Sequence, residues 1–148
     1  MRGGGLSLLG GLLLVTVLAA APGKAAAARS CRIGASASAD GSFAQAGYDS
    51  SPARLARLSA LTSQRFFAEA MRLCAARVLT PADLGRFRRL IIQNGDGATE
   101  PLIYRTPDMP SGTYVFQFAF QDGDPPEPRA FEQALRCWKR PQSCDFGD

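Results

Sequence analysis

The sequence predicts an α+β fold: a three-stranded antiparallel meander covered by two to three helices, disulfide-stapled, in a single domain that follows a signal peptide. Three observations predict it. The stretch 113–121 alternates Tyr114, Phe116, Phe118 and Phe120 with Thr113, Val115, Gln117, Ala119 and Gln121. That period of two marks a strand with one buried face. From Gln64 onward Phe66, Phe67, Ala70, Met71, Leu73, Cys74 and Val78 recur at helical spacing, the pattern of a helix with one face in the core. The third observation is the set of four cysteines, Cys31, Cys74, Cys137 and Cys144, an even number suited to two bridges.

The aromatic strand sets the demand on the rest. Burying its four rings contributes about 6–12 kcal/mol as an upper bound. Exposed, the same uncharged β-former would invite edge-to-edge pairing. Helices are needed to cover it.

Residues 1–28 are expected to be a signal peptide. Arg2 precedes an apolar run from Leu6 to Ala21, and the alanine tract Ala25–Ala28 offers a small-residue cleavage site. The run is shorter than the roughly 20 residues a bilayer span needs, so no stable membrane anchor is expected after cleavage. The residues before Cys31 do not form a lipoprotein box. Removing 28 of 148 residues leaves 120, enough for one domain with its own core. Loss of Arg2 and Lys24 leaves 15 basic residues against 13 acidic ones. A charge so near balance gives no nucleic-acid footprint. An extracytoplasmic location, periplasmic or secreted, is expected.

Cysteine spacing leaves the pairing open. Both tail cysteines are expected to tie down to helices, and Cys31–Cys74 with Cys137–Cys144 is preferred over Cys31–Cys137 with Cys74–Cys144, a choice that spacing alone does not decide. Each bridge should stabilise by about 2–4 kcal/mol. Zinc is disfavoured because the chain has no histidine and no close cysteine pair.

In chain order, residues 29–51 read as an irregular leader segment with Ile33, Phe43 and Tyr48 as its sizeable apolar groups, and Ser36 and Ser38 as solvated loop serines. The α+β domain is expected over 52–148. Ser51-Pro52 starts a helix, serine as N-cap and proline at the first helical position. Leu55, Leu58 and Leu61 step by three and drift around the axis, implying a break near Thr62-Ser63 or a second contact surface. Thr80-Pro81-Ala82-Asp83 starts a short helix ending among Arg86, Arg88 and Arg89.

Leu90–Gln93 is a strand running into Asn94-Gly95, a type I′ hairpin signal, with Leu102–Arg105 as the returning strand. Pro101 places that strand's start after it or the strand at an edge. The acidic residues around Asn94-Gly95-Asp96-Gly97 and Glu100 do not have the spacing of a calcium loop. A rigid link, Thr106–Gly112, leads into the aromatic strand, and a last helix spans Pro128–Lys139 with Phe131, Ala134, Leu135 and Trp138 on its apolar stripe. Trp138 is read as a core anchor rather than a ligand platform.

Arg54, Arg57, Arg65 and Arg72 fall within about a quarter-turn of one another on an unbroken helix. They form either an anion-binding stripe or a solvated face. The solvated face is preferred, since Glu69 is placed to pair with Arg65 at i,i+4 and Arg72 at i,i+3.

Absent histidine removes the usual general base and the Ser-His and Cys-His pairs. Phosphate-cradling, dinucleotide and nucleophile-elbow motifs are missing, as is C-x-x-C. What survives is a serine–lysine dyad built on Lys139 or a carboxylate pair drawn from Asp96, Glu100, Asp108, Asp122 and Asp124. Acidic residues at turns usually cap rather than catalyse, so no catalytic, cofactor-binding or metal-ligating residue is assigned and no cofactor is expected. The expected function is a small exported binding or interaction protein whose partner is a protein or an envelope polymer. A structural accessory subunit of an extracytoplasmic complex and a carboxylate-dependent hydrolase are the alternatives.

Overall fold

The computed structural model describes residues 30–95, 100–120 and 124–144. The elements run β1 (Ser36–Ala39), α1 (Ser42–Gln45), α2 (Pro52–Ala75), α3 (Pro81–Arg86), β2 (Arg89–Asn94), β3 (Leu102–Tyr104), β4 (Thr113–Phe118) and α4 (Pro128–Lys139), with a 3-10 turn at Pro141–Ser143. The sheet has four strands in the order β1-β2-β4-β3. β1, β2 and β4 are parallel, and only β3 runs antiparallel, along the outer side of β4.

This α+β architecture is stapled as the sequence indicates, but it corrects the expected three-stranded antiparallel meander. The anticipated hairpin between β2 and β3 does not form, because β4 lies between them. Gly95 N–H donates to the Phe118 carbonyl at 2.9 Å and the Asn94 side chain accepts from Phe120 N–H at 3.1 Å. Asn94 and Gly95 therefore extend the β2–β4 ladder instead of bending the chain back on itself. Residues 96–99, which carried the rest of the turn expectation, lie outside the described residues. The most apolar strand takes a central place, with both of its edges paired. β3 starts after Pro101 and occupies an edge, where a proline costs no ladder bond.

The second correction concerns residues 29–51. From Ser30 onward they are not an irregular leader: they supply β1, so Ser36 and Ser38 are strand residues rather than loop serines, and they supply α1. Phe43 is fully buried and meets the Phe120 ring at 5.1 Å. A parallel strand needs a long crossover, and the three helices between β1 and β2 provide it.

Alternation places Leu90 and Ile92 beside Tyr114 and Phe116 in register, all facing the helices and all buried. α2 packs on β1 and α4, and α4 on β3, so these two helices cover the aromatic face. Phe66 of α2 is the hub of that layer. Its ring lies 5.5 Å from Phe87, 5.5 Å from Phe116 and 6.2 Å from Phe131. Trp138 joins through Phe87 at 4.8 Å, on the apolar stripe of α4. On the other face Val115 is also buried. Tyr104, its partner in register, sends its hydroxyl to Gln93 on β2 at 2.8 Å, so its ring must lie across β4 and over Val115.

α2 is unbroken over Pro52–Ala75. The drift of Leu55, Leu58 and Leu61 thus marks a second contact surface: Ser59, one turn after Leu55, accepts from Ala39 N–H at 2.8 Å and ties the helix to β1. Ser51 is the N-cap residue, but its side chain makes no capping bond, and its N–H is taken instead by Asp49 at 3.1 Å. α3 carries a full capping box between Thr80 and Asp83. Two disulfides, Cys31–Cys74 and Cys137–Cys144, close with Cα separations of 5.8 and 5.3 Å.

Candidate functional site

The outer face of α2 carries the four arginines that the helical spacing brings together, and most are engaged locally. Arg54 lies 3.6 Å from the Asp49 carboxylate, with both groups largely in solvent. Ser51, through its N–H and then its hydroxyl, holds the Asp49 carboxyl below its ordinary range, with Arg54 adding a smaller share. Arg65 does not pair with Glu69. Its guanidinium donates to the carbonyls of Pro125 and Pro126 at 3.4 and 3.2 Å. Arg72 donates to Glu69 at 2.9 Å and reaches Glu132 of α4 at 3.1 Å. Glu132, bonded first to Arg136 at 2.8 Å and then approached by Arg72, is likewise held below the ordinary range. Arg57 has no hydrogen bond or ion pair among the described residues. The stripe is thus a set of separate contacts with one cation left over.

Beside that cation lies a crevice of about 280 Å³. Phe43, Leu55 and Leu58 line its apolar side, and Asp49, Arg54, Arg57, Leu61 and Asp124 line the rest. α1 places Phe43, the first turns of α2 place the leucines and Arg57, and the segment leading to α4 places Asp124. Tyr48 braces the wall by donating its hydroxyl to the Phe120 carbonyl. Leu61 is the large apolar side chain left exposed among the described residues, at 36%. A crevice with an apolar side and a charged side that includes Arg57, unpaired among the described residues, can seat a side chain of matching shape and orient a charged group beside it.

The carboxylates considered for catalysis are dispersed. Asp108 accepts from the Thr106 hydroxyl, which holds its carboxyl below the ordinary range. Glu100 accepts from Gln133 at 2.9 Å. Asp124 lines the crevice, and Asp96 and Asp122 lie outside the described residues. Lys139 donates to Asp83 at 2.6 Å, a contact that occupies it away from any serine. Among the described residues no cluster of histidine, cysteine or acidic side chains could hold a metal ion, and no helix is long and apolar enough to cross a membrane.

Sequence reasoning missed a polar row across the sheet. Gln93 bridges Asp40 at 3.0 Å and Tyr104 at 2.8 Å, while Asp40 also takes Ser42 N–H at 2.9 Å. Asp40, Gln93 and Tyr104 come from well-separated parts of the sequence, so no spacing rule could assemble them, and every group in it has a protein partner. No protein-family model, no curated protein and no solved structure matches the chain, and the chemistry of the crevice is therefore what bears on its role.

Proposed function

We propose that this protein is a small exported binding protein, periplasmic or secreted, that docks a partner protein at the crevice on the first turns of α2. The observation that carries the reading is an exposed Leu61 beside the wall of Phe43, Leu55 and Leu58, with Arg57, which forms no ion pair among the described residues, on the same crevice. Exposed apolar groups framed by charge mark interaction surfaces, with the apolar centre supplying affinity and the charge supplying orientation. The fitting partner offers one apolar side chain to the wall of Phe43, Leu55 and Leu58 and one carboxylate to Arg57. Two disulfides support residence in an oxidising compartment.

A photoreactive residue at Leu61 tests the reading directly. In the envelope or secreted fraction it should give one discrete adduct, absent when the label is moved to the exposed Ala82 and lost in Arg57→Glu. Labelling of similar strength from both positions would refute the docking site. Recovery of the adduct in a fixed one-to-one ratio with a larger assembly would identify the protein as an accessory subunit of that complex.

A further inference from the structure

Positive charge also collects at the opposite end of β4, and there it is not neutralised. Arg86 at the end of α3, Arg88 just before β2 and Arg105 just after β3 line, with Ser111, Gly112 and Tyr114, a cleft of about 280 Å³. No carboxylate is among these residues, and none of the three arginines forms an ion pair among the described residues. Each is nonetheless held in place. The Arg86 guanidinium lies 4.9 Å from the Trp138 ring centre. Arg105 stands 6.0 Å from the Tyr114 ring and donates to the Met109 carbonyl at 3.0 Å. The stem of Arg88 runs along Gly112, where a Cβ would come within 2.7 Å of the Arg88 Cγ. Gly112 also has φ +81, so both the backbone and the close approach require glycine there.

Gathering three guanidiniums without a counter-charge costs free energy through repulsion. An anion placed between them would offset that cost. One carboxylate offers one fork and one charge, whereas a phosphate group offers several terminal oxygens to several guanidinium forks. We propose that the cleft binds a phosphate-bearing ligand, the phosphate seated among Arg86, Arg88 and Arg105. This site lies apart from the α2 crevice and stands whether or not that crevice docks a protein.

Trp138 is the sole tryptophan, and Arg86 rests on it, so its fluorescence reports occupancy. The oxidised full chain is titrated with inorganic phosphate and, at equal ionic strength, with acetate. Saturable binding about tenfold tighter for phosphate is expected, with Arg88→Ser and Arg105→Ser each weakening it about fivefold or more. Arg129→Ser, on the exposed side of α4, should leave it unchanged. Gly112→Ala, which displaces Arg88, should weaken it in parallel. Equal affinity for acetate and phosphate, or a loss in Arg129→Ser as large as in Arg88→Ser, would reduce the effect to net charge and overturn the proposal. Vesicles with about 30% phosphatidylglycerol distinguish the source. Arg88-dependent co-sedimentation assigns a lipid headgroup, and phosphate binding without co-sedimentation assigns a soluble phosphate ester.

Discussion

The two groups of arginine in this molecule have opposite surroundings. On α2 the arginines are spaced by the helix, and the same helix or its neighbours supply Asp49, Glu69, Glu132 and the carbonyls of Pro125 and Pro126. At the start of β4 they come from the end of α3, the link before β2 and the link after β3, and meet without an acid. Of the charge along α2, Arg72 is met by Glu69 one turn away, while Arg65 and the second contact of Arg72 are met by residues brought in from the approach to α4 and from α4 itself. The arginines gathered at the start of β4 have no carboxylate among the residues that line their cleft. In the second group all three arginines are without an ion pair among the described residues, whereas on α2 Arg54 and Arg72 have one.

The largest expected effect tests whether both groups share one scaffold. Phe66 is fully buried at the centre of the aromatic layer, on the helix that bears the first group and 5.5 Å from Phe87 beneath the second. Phe66→Ala should cost about 3–5 kcal/mol, measured by urea unfolding. A single transition followed by both Trp138 fluorescence and far-UV circular dichroism would show that the two surfaces melt together. Two separated transitions would mean that they rest on independent units.

The next effect concerns what holds α3, and with it Arg86. Asp83 closes the capping box with Thr80 and receives Lys139 from the end of α4 at 2.6 Å. Asp83→Ala should cost about 2–3 kcal/mol, since it removes a cap and leaves the Lys139 ammonium without its partner. Burial pushes this carboxyl upward, but the bonds from Lys139 and Thr80 outweigh it and its pKa falls below the ordinary 3.8. A depressed carboxyl stabilises the fold above the unfolded value, and that contribution disappears as pH drops below 3.8 through the folded value. Stability measured from pH 7 downward should thus fall more steeply in the native protein than in Asp83→Ala, whose curve lacks this step. Parallel curves would remove Asp83 from the acid response.

The same contrast explains how much was legible in the sequence. The aromatic strand, the 3.6-residue face of α2, the Thr80 N-cap of α3 and the stripe of α4 all follow from spacing within one segment, and the structure contains each of them. β1 escaped notice because Ala35-Ser36-Ala37-Ser38-Ala39 alternates only small groups, which carry little β-propensity or hydrophobic contrast. The Asn94-Gly95 signal misled because its local turn preference competed with ladder bonds to Phe118 and Phe120, which only the placement of β4 makes available. The cleft of Arg86, Arg88 and Arg105 was unreadable for a related reason. The first two read as cations favoured at a helix end, and nothing in the spacing connects them with Arg105, beyond β3.

The smallest effect separates the two groups most sharply. Glu69 is only 8% exposed, so deleting Arg72 strands a largely buried carboxylate, and Arg72→Ala should cost about 1–2 kcal/mol in urea unfolding. Arg88 has no such dependant. Its removal relieves repulsion from Arg86 and Arg105, so Arg88→Ser should change stability by no more than about 0.5 kcal/mol, with the sign favouring a gain at low salt. Raising the ionic strength should shrink both differences, because screening weakens the Arg72–Glu69 attraction and the repulsion in the cleft together. A loss in Arg88→Ser as large as in Arg72→Ala would mean that the cleft arginines stabilise the fold in their own right, and the distinction between satisfied and unsatisfied charge would fail. A neutral or stabilising Arg88→Ser is the behaviour of a residue whose positive charge the fold tolerates rather than uses.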